Sequence, residues 1–315
     1  MKNLKDISVV IPIYNEESNI NELYERLTKT INEISSHYEV IFVNDGSDDG
    51  AEQKILQISK LDPKVFYINF NRNFGHQIAV SAGLEKSHAK CTVIMDGDLQ
   101  DPPELISKLY ERYKEGFDVV YAKRNERKGE SYLKKLSAKL FYRVLERLTS
   151  FSIPLDSGDF RLIDKKVVIA LNEMSEQNKF LRGQIAWLGF SQSAVGFDRD
   201  PRKSGTSGYS YSKMIRLALD AITSFSDKPL LFVSRMGFFI SFISFLVILF
   251  SLFSHFFLKK TVTGWTSLII SSSFIGGIQL ISIGIIGEYI ARINTNSKNR
   301  VLYVVKNTNI ETKTT

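Results

Sequence analysis

Cysteine is almost absent: Cys91 is the only one in 315 residues. That excludes an intrachain disulfide and any metal centre assembled from several thiolates. A secretory signal pattern is also missing, because the early lysines meet Asp6, Glu16 and Glu17 with no long apolar stretch between them. Neither a G-x-G-x-x-G fingerprint nor a Walker motif follows any predicted strand, so a nucleotide would have to be held by other devices. The formal net charge of +7 calls for an anionic partner. No nucleic-acid module signature accompanies it, which leaves a membrane surface or a phosphorylated ligand.

What is present is regular. Ile7 to Ile13 is an apolar strand leading into Tyr14-Asn15-Glu16-Glu17, with Pro12 near its end, where a missing amide does least harm. Ser18 or Asn19 can cap a helix running to about Ile34. Val40 to Val43 predicts a second strand, ending in Asn44-Asp45-Gly46-Ser47. Val65 to Ile68 predicts a third, followed by Asn71-Arg72-Asn73-Phe74-Gly75 and a helix from about His76 to Ser87. Strands alternating with helices specify an α/β fold, a Rossmann-like, doubly wound and mostly parallel sheet. Ligands bind beyond the carboxyl ends of the strands in such sheets. Glu16, Asp45, Arg72 and the Asp96/Asp98 pair all fall on that edge.

The fourth strand, Thr92 to Met95, runs directly into Asp96-Gly97-Asp98, with Asp101 close behind. Continued strand geometry would put Asp96 and Asp98 on one face. Two hard oxygen ligands there suit Mg²⁺ or Mn²⁺, shared with substrate phosphates. Gly97 lets a bulky ligand approach the backbone. Pro102-Pro103 then fixes the exit before a helix begins near Glu104.

Pro12-x-Tyr14-Asn15-Glu16, Val43-Asn44-Asp45-Gly46-Ser47 and Asp96-x-Asp98, in that order, resemble the family 2 glycosyltransferases of the GT-A fold. Asp156-Ser157-Gly158-Asp159-Phe160-Arg161-Leu162 narrows the resemblance to the polyprenyl-phosphate glycosyltransferases, which include dolichol-phosphate mannose synthase and the bactoprenol glucosyltransferases. The similarity runs from about Ile7 to the C-terminal apolar segments. It implies that Pro12, Tyr14, Glu16 and Asp45 hold the base and ribose of a nucleotide sugar, and that Asp96 and Asp98 carry the metal on its diphosphate. A divalent cation there would stabilise the charge developing on the leaving nucleoside diphosphate.

Acceptor chemistry falls to the middle of the chain. Asp156 and Asp159 are candidates for a general base near the sugar. The need is modest, since a lipid phosphate monoester with a second pKa of about 6 is already largely dianionic at neutral pH. Arg124 and Arg127 can face a phosphate. Glu130 to Leu148 reads as a helix whose Lys135, Lys139, Arg143 and Arg147 form either a solvated face or a stripe against anionic headgroups. Processive family 2 synthases carry Gln-x-x-Arg-Trp, but here Gln184 and Trp187 lack that arginine, which argues against polymer synthesis. In Arg199 to Tyr209, the residues Arg202, Gly205, Ser207 and Tyr209 match the usual Arg-x-x-Gly-x-Ser-Lys-Tyr, while Gly208 replaces the lysine. Arg199, Arg202, Lys203 and Ser207 are therefore the candidates for the acceptor phosphate.

The last third is built for a membrane. Lys213 to Asp227 is amphipathic, fitting an interfacial helix at about 212–230. Phe232 to Leu258 and Trp265 to Gly287 are each long enough, at about 1.5 Å per residue, to cross a hydrocarbon core of roughly 30 Å. Cations are denser on the catalytic and C-terminal side than in the Lys259–Gly264 linker, which puts the 1–211 domain, the tail at 291–315 and both termini in the cytoplasm of a plasma membrane. Gly276-Gly277, Gly284 and Gly287 permit close helix contact between protomers of a homo-oligomer. The tail from Asn307 is polar apart from Ile310 and is expected to be disordered.

These features predict a membrane-anchored enzyme that moves a hexose from a UDP-sugar to a polyprenyl phosphate, undecaprenyl phosphate in a bacterium, with inversion. Glucose is the first choice of sugar and N-acetylglucosamine the second. A non-catalytic scaffold of a polysaccharide export complex is the alternative from another class, opposed by the intact Asp96/Asp98 pair. A polysaccharide synthase is the alternative among enzymes.

Overall fold

The computed structural model describes residues 4–124, 157–197, 226–253 and 264–311. They belong to two compact units, one containing 4–124, 157–197 and 299–311, the other 226–253 and 264–298. The expected helix at 130–148 and the amphipathic stretch up to Phe225 lie outside the described residues.

The first unit begins β1 (Lys5–Ile13), α1 (Ile20–Ile34), β2 (Tyr38–Asn44), α2 (Ala51–Leu61), β3 (Val65–Phe70), α3 (His76–Lys86) and β4 (Ala89–Ile94). Next come α4 (Leu105–Lys114), β5 (Val119–Arg124), β6 (Ser157–Asp164), α5 (Lys165–Glu173), α6 (Leu181–Trp187), β7 (Gln192–Phe197) and β8 (Val305–Thr308). The sheet order is β7-β5-β6-β4-β1-β2-β3-β8. Strands β1 to β4 are parallel, as helical crossovers require. Strand β6 runs antiparallel to β4 and β5, so the sheet is mixed around a parallel centre.

Both faces of that centre are covered, which is why its strands are apolar without alternation. On β1, Ile7, Val9, Ile11 and Ile13 enter a core shared with Leu23, Leu27, Ile55 and Leu109 from α1, α2 and α4. Val10 enters the opposite core, with Val80 and Leu84 of α3, Val167 of α5 and Ile185 of α6. The result is a three-layer sandwich whose strand ends share one edge. Helix α1 follows Asn19 as expected, but the Asn19 side chain does not cap it. Its amide donates instead to Glu16 Oε2 at 2.5 Å.

The C-terminal segment departs from expectation. Polarity predicts disorder from Asn307 onward, yet β8 adds an antiparallel strand to the edge of β3. Backbone pairing needs no apolar side chain, and an edge strand offers a row of unpaired amides and carbonyls. Asn309 Oδ1 accepts the Tyr67 amide at 2.8 Å, and Thr308 Oγ1 donates to the Tyr67 carbonyl at 2.6 Å.

The second unit contains α7 (Lys228–Phe253) and α8 (Trp265–Ser297). By length and composition, Lys228–Val247 and Phe274–Ser297 can each cross a membrane. Helix α8 runs beyond Gly287 because neither proline nor glycine interrupts 288–297. Phe238, Phe250, Leu280 and Ile283 are exposed, an apolar surface that suits lipid better than water. Among the described residues, a Cβ at Gly276, Gly277, Gly284 or Gly287 would meet nothing within 4 Å.

Gly46 joins fold to site. It has φ +68°, and a Cβ there would come within 2.4 Å of the Arg72 carbonyl carbon. Gly46→Ala should therefore cost about 2–4 kcal/mol through left-handed backbone strain and forced separation of the two loops. A clear drop in the thermal midpoint of the detergent-solubilised protein checks this; an unchanged midpoint refutes it.

Candidate active site

The turns after β1 and β2 are stitched together. Asn15, in the left-handed region at φ 56°, donates its amide to Ser47 Oγ at 3.0 Å and accepts the Asp48 amide at 2.9 Å. Asparagine tolerates this conformation better than most residues. The Glu17 amide donates to Asp49 Oδ2 at 2.9 Å, and Lys54 Nζ donates to the Glu17 carbonyl at 3.0 Å. The framework leaves Tyr14 45% exposed, and an exposed aromatic side chain can stack on a nucleobase.

Asp45 is buried at the end of β2. Its two oxygens accept the Phe74 amide at 2.7 Å and the Gly75 amide at 2.9 Å. Burial pushes this carboxyl above the usual carboxylate range against the pull of those bonds. Asp45 thus fixes the β3–α3 turn. Gly75, at φ 108°, takes a backbone conformation that only glycine adopts readily and starts α3 at His76.

Strand β4 stops before the carboxylate pair, so strand alternation does not govern the two side chains. Gly97 and Asp98 lie in a turn, Leu99 has φ 58°, and Asp98 Oδ1 accepts the Gln100 amide at 3.1 Å. The pair is nevertheless electrostatically joined. Burial raises the Asp96 carboxyl above the usual range, the charges of Asp159 and Asp98 add to that rise, and His76 opposes it. Among the described residues Asp96 Oδ1 is buried without a hydrogen bond, and His76 Nε2 stands 3.6 Å away. A buried acceptor oxygen of this kind, beside a second carboxylate, fits a divalent cation.

Asp159, on β6, is the centre of the polar network. Arg182 Nε donates to its Oδ1 at 2.6 Å, while Gln77 Nε2 at 3.1 Å and His76 Nε2 at 3.2 Å meet its Oδ2. Burial works against its charge, but Arg182 and His76 outweigh that and hold the carboxyl well below the usual range. Burial likewise works against charging His76, yet the Asp159 hydrogen bond and the Asp96 charge lift it to about 9. Arg161 is almost completely buried, 3.8 Å from Asp159, and donates to the Gly158 carbonyl at 2.9 Å. Gln77 also accepts the Leu181 amide at 3.0 Å, which ties the start of α6 to α3.

Among the predicted residues, the structure gathers Asp96, Asp98 and Asp159 into one cluster and holds Asp45 one turn away. Pro12 pairs within β1, Tyr14 and Glu16 follow it, and Arg124 ends β5. Arg127, Asp156, Arg199, Arg202 and Ser207 lie outside the described residues. His76, Gln77 and Arg182 escaped the sequence reading as site residues. Their signal was present: His76-Gln77 opens a helix behind the glycine that ends a polar strand exit, and Arg182 sits in Phe180-Leu181-Arg182-Gly183.

A nucleotide-sugar type of sheet edge carrying an Asp-x-Asp turn defines a class. Residues 8–171 match the glycosyl transferase family 2 model, and the chain belongs to that family; it is a glycosyltransferase. It is 46% identical over 307 residues to an uncharacterised glycosyltransferase of Bacillus subtilis (strain 168), covering 97% of this chain and 95% of that one. It is 38% identical over 305 residues to the bactoprenol glucosyl transferase of Shigella phage SfV, covering 96% and 98%. Mannosyl-3-phosphoglycerate synthase from Rubrobacter xylanophilus shares the fold, with a TM-score of 0.50 at 16% identity over 69% of this chain and 72% of that chain.

Asp159→Asn should remove the carboxylate that Arg161 and Arg182 approach. Breaking a buried pair in this way costs about 3–5 kcal/mol, far more than loss of a surface ion pair. Denaturant unfolding should show a large loss for Asp159→Asn and a small one for Lys166→Ala at the exposed Asp118 pair. Equal losses would show that the Asp159 network carries no special weight.

Proposed function

We propose that the enzyme transfers glucose from UDP-glucose to a polyprenyl phosphate at a membrane surface, with inversion at the anomeric carbon. The observation that carries this reading is the buried Asp96 oxygen beside Asp98, at the strand edge where a nucleotide diphosphate would lie. The near full-length similarity to a bactoprenol glucosyl transferase supports the sugar and the acceptor class. Pro12, Tyr14, Glu16 and the Asp45-braced turn take the nucleoside. Asp96 and Asp98 would hold Mg²⁺ or Mn²⁺, which when bound neutralises charge gathering on the diphosphate.

In the transfer, an oxygen of the lipid phosphate attacks the anomeric carbon opposite the leaving diphosphate. The new carbon–oxygen bond forms as the bond to UDP breaks, and its electron pair departs with UDP. The acceptor is already dianionic, with a second pKa of about 6, so a strong base is unnecessary. Asp159 accordingly acts as an anchor, since its oxygens are engaged and its charge is held by Arg182 and His76. His76 and Arg182 supply positive charge where two phosphorylated substrates meet. Arg202, with Arg199, Arg124, Arg127 and Ser207 as further candidates, receives the acceptor phosphate, because a planar guanidinium can grip two phosphate oxygens. Helices α7 and α8 form a plasma-membrane hairpin with the catalytic domain and both termini cytoplasmic, and the unpacked α8 glycines provide a homo-oligomer contact.

The test is transfer in vesicles containing polyprenyl phosphate, with a panel of labelled UDP-sugars. UDP-glucose should label the lipid fraction best, with UDP-N-acetylglucosamine second; labelling by neither refutes the reading. Asp98→Asn should lose at least about 100-fold in turnover, the scale of removing one transition-state charge contact, without loss of membrane insertion. Full activity in excess EDTA would exclude the cation.

Acceptor binding supplies a separate measurement. Arg202→Ala should be nearly inactive and Arg202→Lys clearly impaired, both through acceptor kinetics, while UDP binding changes little. Unchanged transfer in Arg202→Ala, with loss in Arg199→Ala, would move the acceptor contact three residues upstream.

A further inference from the structure

The segment 299–311 makes more contacts with the site-bearing turn than a tether requires. The Asn71 amide, first in the β3–α3 turn, donates to the Val304 carbonyl at 3.1 Å. The buried Asn69 side chain donates to Asn307 Oδ1 at 2.7 Å. Tyr303 stacks on Phe70 with ring centres 4.9 Å apart, and its hydroxyl donates to Glu85 of α3 at 2.8 Å. Phe70 in turn meets Phe74 edge-on at 5.6 Å, and Arg72 lies over the Phe74 ring at 4.0 Å. The Phe74 amide is the one that binds Asp45, and two residues later comes His76. An unbroken line of packed groups therefore joins Tyr303 to Asp45 and to the carboxylate cluster.

We propose that residues 299–311 form a positioning strap, with Tyr303 as its key side chain, that holds the Asn71–Gly75 turn in the geometry that presents Asp45 and His76 to the nucleotide sugar. This rests on the glycosyl-transfer reading for its kinetic consequence, but its structural consequence stands apart. Strand pairing alone would fix β3, which the core already fixes from its other side. What the strap adds is restraint at the start of the turn, where the backbone leaves β3, complementing the Asp45 bonds that hold its far end at Phe74 and Gly75. Tyr303 supplies this through its ring face, because the Phe70 stack points at the turn, whereas its hydroxyl points away to Glu85. In sequence, the strap starts directly after α8, so an enzyme clipped behind its second apolar helix would keep its membrane segments and lose control of its donor turn.

Full-length Tyr303→Ala and Tyr303→Phe test this in detergent. Hydrogen exchange should accelerate at least about 3-fold over residues 71–77 in Tyr303→Ala, with β1 and β2 as protected as in the wild type; Tyr303→Phe should match the wild type. In the transfer assay, Tyr303→Ala should raise the KM for UDP-glucose about 3- to 10-fold, leave the acceptor KM unchanged, and be rescued by phenylalanine. Unchanged exchange at 71–77 in Tyr303→Ala overturns the strap. So does faster exchange with an unchanged donor KM, which would reduce the segment to an edge cover. Accelerated exchange throughout the sheet would also overturn it, as general destabilisation. A wild type that transfers no sugar at all would sink the glycosyl-transfer reading, and the exchange comparison would still judge the strap.

Discussion

Three carboxylates, Asp96, Asp98 and Asp159, converge on one edge of a sheet, and the surrounding structure is shaped by the need to keep them there. Two like charges about 4 Å apart repel by about 4 kcal/mol at an effective dielectric of about 20. A surface ion pair cannot offset that. The fold answers with cations fixed on separate elements: His76 on α3, Arg182 on α6 and Arg161 on β6. Each reaches the cluster only if its own element is correctly docked. The site is thereby a check on the packing of α3 and α6 against the same face of the sheet, and Gln77, bonded to both Asp159 and the Leu181 amide, links the two helices.

The charge is distributed unevenly, and the unevenness has a chemical sense. Asp159 has a full set of donors and is held ionised. Asp96 has a buried oxygen with no donor and a carboxyl pushed up by burial and its neighbours. One carboxylate is satisfied by protein donors; the other keeps an oxygen that the proposed cation would take. That division suits the proposed reaction, whose two substrates both bring phosphate charge of their own. A site already neutralised would bind a cation weakly, and one with no internal cations would repel the diphosphate.

Much of this was legible from local pattern. The four parallel strands and their order of use came from apolar runs broken by polar turns, because burial on both faces leaves that signature. Asp96, Asp98 and Asp45 were legible because they stand where each run ends. Asp159 was found through its motif, but its partners were not: a motif names the carboxylate and leaves open that Arg182, Gln77 and His76 surround it. His76 and Gln77 lie 83 and 82 residues before Asp159 and Arg182 lies 23 after it, so they meet only through long-range packing. The polar tail misled for a related reason. Hydropathy reports what side chains bury, and β8 is held by backbone pairing and amide side chains, which carry no apolar signal.

Asp45 illustrates why a motif residue need not act by direct contact. Both of its oxygens already hold backbone amides of the next turn, so its hydrogen-bonding capacity faces the protein. It sets the shape of that turn, as does Gly46, which lets the two loops approach within van der Waals range. Rigid placement is what such a site requires. The proposed transfer brings a diphosphate and a lipid phosphate together against their own repulsion, and displacements of about 1 Å cost rate steeply. The donor side is accordingly built from short turns anchored at both ends, to the sheet behind them and to one another across the edge.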